Sequence, residues 1–84
     1  MLFRSVVPRA ELDAAFRRWV DAVLACAPLS LQAIKQVVRR TATLSAAEAQ
    51  ALRLPALVTA LQSEDAHEGV RAFQEKRQPC WSGR

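Results

Sequence analysis

The sequence has 84 residues, room for one small domain and too few for a complete nucleotide-binding fold or an enzyme barrel. Hydrophobic residues make up 51% and charged residues 24%, the balance of a globular chain rather than a disordered one. The net charge of +4 admits an anionic partner without naming one, and 2 glycines cannot build a glycine-rich phosphate loop.

The first residues, Leu2 to Val7, carry Leu2, Phe3, Val6 and Val7 and predict a short extended segment closed by Pro8. From Ala10, apolar residues recur at Leu12, Ala15, Phe16, Trp19, Val20, Val23 and Leu24. This spacing predicts an amphipathic helix over roughly 10–27, stopped by Pro28. Glu11 and Asp13 suit its positive N-terminal end. A second helix is expected over 30–40, with Leu31, Ile34, Val37 and Val38 on one face and Arg39–Arg40 at its negative end.

Ser45-Ala46-Ala47-Glu48 matches a capping box and predicts a third helix over 45–62. Its only charge between Glu48 and Glu64 is Arg53. Ala47, Ala51, Leu52, Leu54, Leu57, Val58 and Leu61 cover more than one side of it. Such a helix needs burial on several sides, which points to a partner surface. Pro55 should kink it or split it near Arg53. Ser63 caps a fourth helix over 64–77, with Glu64 and Asp65 in its first turn and a narrow stripe of Ala66, Val70 and Phe73. Gly69 inside it suggests the close approach of another backbone, and Trp81 in the tail should pack back on a helix. The fold class is therefore all-α: about four helices behind a short extended N-terminal segment.

Cys26 and Cys80 are too few for a disulfide framework and too far apart for a CxxC motif. They are expected to be a core thiol and a tail thiol. His67, the one histidine, makes no zinc set with them, so no metal is expected. No apolar run is long enough to span a membrane, and the start is too short for a signal-peptide core, so the cytoplasm is the default expectation.

The last helix and tail carry Ser63-Glu64-Asp65, Glu68-Gly69, Ala72-Phe73, Glu75-Lys76-Arg77, Pro79 and Trp81 in an order that resembles the C-terminus of the enoyl-CoA hydratase/isomerase (crotonase) family. Val6-Val7-Pro8 with Glu11-Leu12, and Ala27-Pro28-Leu29-Ser30 with Ala33-Ile34-Lys35, are similar to its upstream helical segments. The resemblance covers nearly the whole chain and the final third of the family's usual length.

It implies a crotonase C-terminal helical domain over 1–84, acting in self-association and in lining an acyl-CoA pocket. The family's catalytic body supplies the oxyanion hole and the acid/base residues. The resemblance therefore implies no catalytic residue, no cofactor and no activity in this chain alone. It implies a likeness of Lys76 to a lysine that reaches a CoA phosphate. A solvated cation at the helix end is the plainer reading of Lys76. Leu57 stands where some relatives place an aromatic on adenine. Phe16, Trp19, Leu52, Leu57, Val58, Leu61 and Phe73 are the expected core and interface residues, in a homo-oligomer that meets acyl-CoA only when completed by the body.

Two other readings stand beside this one. A small basic helical module could bind nucleic acid or a protein, but the cations are spread one pair per helix (Arg17–Arg18, Arg39–Arg40, Lys76–Arg77), which disfavours nucleic acid. An enzyme complete in itself would need a catalytic pair, and Glu64 with Asp65 is better explained by helix capping.

Overall fold

The computed structural model describes residues 5–84. Half of the expected extended segment, including Leu2 and Phe3, lies outside them. Residues 5–8 have no regular structure, and Pro8, with φ −56° and ψ 149°, precedes a single 3-10 turn, Arg9–Glu11. Five α-helices follow: α1 (Leu12–Leu24), α2 (Pro28–Thr41), α3 (Ala46–Ala51), α4 (Pro55–Leu61) and α5 (Glu64–Glu75). There is no strand among the described residues, so the all-α expectation holds, with five helices in place of four.

Proline chemistry sets the difference. Pro28 is not merely a stop for the first helix; it opens the second, where its fixed φ is suitable and its missing N–H is not needed. Helix α1 accordingly ends at Leu24, three residues short of the predicted end. The expected 45–62 helix is two helices. The residue before a proline is steered out of the α region, and Leu54 is extended, with ψ of 145°, as is Leu52 at the end of α3, with ψ of 140°. Pro55 then occupies the first turn of α4. The Arg53 guanidinium bridges the break, donating to the carbonyls of Gln50 (2.8 Å) and Leu52 (3.0 Å).

The predicted caps are present. The Ser45 hydroxyl accepts from the Glu48 amide, and the Glu48 carboxylate accepts from the Ser45 amide at 2.8 Å. Hydrogen bonding to the carboxylate, from the Ser45 side chain first and from its amide second, holds the Glu48 carboxyl below its ordinary range. Ser63 caps α5 through the Ala66 amide at 3.1 Å. A cap that no short-range pattern announces lies at α4, where the Gln36 side chain of α2 accepts the Ala56 amide at 3.1 Å.

That bond belongs to the main packing contact of the chain, α2 against α4. It closes over small side chains: Ala33 and Ala60 are buried, and the remaining buried apolar residues, Ala15 and Ala72, are also alanines. Among the described residues no apolar side chain larger than alanine is buried. The radius of gyration is 16.0 Å, against about 12 Å for a compact chain of this length. The accessible surface is 7337 Å², against roughly 5,000 Å² for a compact monomer of 9.3 kDa. The molecule is an open array of helices with extents of 43 × 38 × 19 Å. Cys26 corrects the expectation of a core thiol: it is exposed just past α1, its thiol donating to the Ala22 carbonyl.

Replacing Gln36 by Ala leaves the Ala56 amide without its partner, so α4 should open more readily, by about 1 kcal/mol. Hydrogen exchange at Ala56 and Leu57 should accelerate several-fold while α5 is unchanged. Unaltered exchange there would show that the cap contributes nothing.

Candidate functional site

The chemically densest part of the molecule is α5 and the tail that folds back on it. The helix presents two unlike faces. Ala66, Val70 and Phe73 share one side, and Val70 and Phe73 are exposed, Phe73 to 85%. Asp65, Gly69 and Ala72 share another, and Asp65 and Ala72 are each only 2% exposed. The covered face is thus the one with small and acidic residues, and the apolar stripe points outward.

The tail supplies the cover. The Asp65 carboxylate accepts the amide of Ser82 (2.7 Å), the hydroxyl of Ser82 (3.1 Å) and the amide of Gly83 (2.9 Å). Its own amide donates to the Arg84 carbonyl at 2.9 Å. The Ser82 amide is the main reason that the Asp65 carboxyl lies below the usual carboxylate range, against the opposing effect of desolvation. Gly83 meets this geometry with a φ of +74°. One turn further along, the Glu68 carboxylate accepts both terminal nitrogens of Arg77, at 2.6 and 3.1 Å, and the Cys80 amide at 2.9 Å. The bond from Arg77 dominates in pulling the Glu68 pKa down from 4.5 to about 2. The Arg77 guanidinium also donates from Nε to Glu75 at 2.5 Å, and the two carboxylates hold its proton more tightly than usual.

Trp81 completes the fold-back. Its indole N–H donates to the Ala25 carbonyl at 2.9 Å, linking the tail to the end of α1. Its ring passes so close to Gly69 that a Cβ there would meet it at 3.4 Å. The expected return of Trp81 onto a helix is observed. The expected approach of a backbone at Gly69 is corrected: the indole occupies that place, at van der Waals distance from where a Cβ would stand.

Lys76 sits where α5 ends, with φ 54° and ψ 42°. Its amide donates to Phe73 and the Arg77 amide donates to Ala72, a Schellman arrangement in which glycine usually fills the left-handed position. The backbone therefore places Lys76, exposed, at the corner where helix becomes tail.

The other predicted residues are scattered over the open array. Phe16 (68% exposed), Trp19 (46%) and Leu61 (67%) lie on outer surfaces with Phe73. Leu52, Leu57 and Val58 are half-buried around α4. Sequence reasoning assigned Asp65 to helix capping; the tail bonds are its larger role, and nothing local to Ser63–Glu64 foretells amide donors 17 and 18 residues away. His67 is exposed, its Nδ1 lying 3.1 Å from the Ser63 carbonyl. Among the described residues no group of acidic, histidine or cysteine side chains could hold a metal ion, and no helix is long and apolar enough to cross a membrane.

The arrangement is an open helical layer with a tied-back tail. The family model for enoyl-CoA hydratase/isomerase matches residues 2–84. Carnitinyl-CoA dehydratase of Proteus mirabilis is 40% identical over 83 residues, covering 94% of this chain and 32% of its own length. An enoyl-CoA hydratase/isomerase structure from Mycobacterium paratuberculosis superposes with a TM-score of 0.82 at 33% identity, over 93% of this chain and 31% of that one. An enoyl-CoA hydratase from Mycobacterium tuberculosis H37Rv superposes at 0.76, again with 33% identity, over 94% and 31%. This chain belongs to the enoyl-CoA hydratase/isomerase family. It spans about a third of the length of the curated relatives it matches.

Two outcomes follow from the geometry. Asp65 and Glu68 titrate below their unfolded values, so the stability they give is complete above about pH 4.5 and is lost as pH falls toward 2. In a Trp19→Phe variant, Trp81 fluorescence should be constant from pH 8 to about 5 and should shift toward solvent-exposed emission between about pH 4.5 and 2; a transition above pH 5 would contradict the assignment. Lys76→Gly removes a left-handed non-glycine residue and should raise stability to urea by about 1 kcal/mol. An unchanged or lowered midpoint would mean that the lysine side chain stabilises the corner.

Proposed function

We propose that this chain is the C-terminal helical module of an enzyme acting on acyl-CoA thioesters, and that its work is assembly and pocket lining rather than bond making. The observation that carries this reading is the inverted placement of its apolar faces. Leu12, Phe16, Trp19 and Val23 share one side of α1, and each is between 46% and 68% exposed. Leu61, Val70 and Phe73 make a second exposed apolar surface. Covering one such side chain contributes about 1.5–3 kcal/mol, so the faces together favour a large partner surface. In this reading the partners are the family's catalytic body and further copies of the same protein.

Lys76 is the residue assigned to a CoA phosphate. An exposed ammonium on a fixed backbone corner is a suitable point charge for one phosphate oxygen, and its position is set by the helix end rather than by side-chain packing. Leu57 offers apolar contact but no stacking surface. No catalytic role is assigned to a side chain of this chain. The carboxylates with displaced pKa values, Glu48, Asp65 and Glu68, are all displaced downward and are occupied by caps or by the tail. A general acid working near neutral pH needs the opposite displacement.

Light scattering on the purified chain at micromolar concentration should give a mass well above 9.3 kDa, with no turnover of crotonyl-CoA. A cooperative, well-folded 9.3 kDa monomer would sink the assembly role. Lys76 is tested in a chimera, with this chain replacing the matched 83 residues of the Proteus mirabilis enzyme. There Lys76→Ala should weaken CoA binding about tenfold, and unchanged affinity would remove the lysine from the site.

A further inference from the structure

One surface remains that the family reading does not use. Helix α2 has three sides. Ala33 and the side chain of Gln36 engage α4. Ile34 and Val38, 59% and 63% exposed, form an apolar side. Gln32, Lys35, Gln36, Arg39 and Arg40 fall within roughly 140° of helix arc and together line a shallow depression. The sequence from Ala22 to Ala47 has no acidic residue. Lys35, Arg39 and Arg40 make no ion pair among the described residues, whereas Arg77 is engaged by two carboxylates.

We propose that this face of α2 binds the phosphate groups of a small polyphosphorylated ligand. Two guanidinium groups supply planar forks that match phosphate oxygens, Lys35 supplies a mobile point charge, and the Gln32 amide supplies a neutral donor. Three positive charges gathered on two turns match a diphosphate or a diphosphate with one further phosphate better than a single carboxylate. The patch is short: Gln32 to Arg40 spans about 12 Å of helix axis, the reach of one small ligand rather than of a duplex track. The stretch from Ala22 to Ala47 brings no carboxylate of its own against the positive field, which the negative C-terminal end of the helix under Arg39 and Arg40 offsets in part. The same phosphate chemistry is carried by free pyrophosphate and by the diphosphate and phosphate of CoA. The site is separate from Lys76, so it does not depend on the role given to that residue.

Calorimetric titration of the 84-residue chain with inorganic pyrophosphate and with CoA tests it. Both should bind, and the affinity should fall as salt rises. Pyrophosphate displacing CoA from the same site, with CoA the tighter, would mark a CoA-type ligand; equal affinities would mark free polyphosphate. The pair Arg39→Gln and Arg40→Gln, on a solvent-facing surface, should weaken pyrophosphate binding by about tenfold or more. Lys35→Gln should weaken it by a smaller factor. Arg53→Gln, outside the patch, should leave it unchanged; circular dichroism confirms that each variant keeps its helices. Loss in Arg53→Gln equal to that in the double variant would reduce the effect to net charge and overturn the proposal. Loss on Lys76→Gln but not in the double variant would move the phosphate to the end of α5 and also overturn it. Tighter binding of a duplex DNA, with a steep salt slope, would replace a small ligand by nucleic acid.

Discussion

The structure is governed by a shortage of self-covered apolar surface. A stable small domain normally turns the apolar side of each helix toward a shared core. Here the helices meet over alanines. Ala33 and Ala60 are buried where α2 meets α4, while Phe16, Val23, Val70 and Phe73 lie outward. Alanines allow close approach of helices but release little transfer free energy, so the contact fixes geometry more than it supplies stability. The radius of gyration of 16.0 Å and the accessible surface of 7337 Å² are the global expression of that arrangement. Helices α1 and α5 turn much of their apolar side outward.

Order at the C-terminal end comes from polar bonds instead. Asp65 and Glu68 lie on one side of α5 and together accept six hydrogen bonds from Arg77, Cys80, Ser82 and Gly83. Trp81 then reaches past Gly69 to Ala25, tying α5 to the end of α1. A carboxylate that accepts several N–H groups is well satisfied even when withdrawn from water, so Asp65 can be 2% exposed without a cationic partner. These bonds give the tail a fixed course without a hydrophobic core beneath it. They also fix the corner at Lys76, because Arg77, the next residue, is anchored both by its amide and by its guanidinium.

The proposed division of labour rests on how the carboxylates and the apolar sides are used. The carboxylates with displaced pKa values are structural, and the exposed apolar sides are those a module needs if its stability comes from neighbours. A covering body would gain from the outward faces of α1 and α5, and the tied-back tail would present Lys76 at a defined place. The basic side of α2 lies apart from both, bordered by α4 on one side and by Ile34 and Val38 on the other.

Much of this was legible in the amino-acid order. Local chemistry determined the helical class, the caps at Ser45 and Ser63, the break at Pro55, the return of Trp81 and the motif of the last helix, because each depends on residues within a few positions or on a ring too large to leave in water. It could not say which side of α5 is covered: the apolar stripe of Ala66, Val70 and Phe73 is the natural choice by periodicity, yet the tail lies on Asp65 and Gly69. That was decided by tertiary structure alone, since the donors at Ser82 and Gly83 reach Asp65 only once the chain has turned back at Lys76. The same holds for Gln36, whose bond to Ala56 joins residues 20 apart. Side-chain spacing fixes which residues share a helix face, but only the path of the backbone between helices fixes what that face meets.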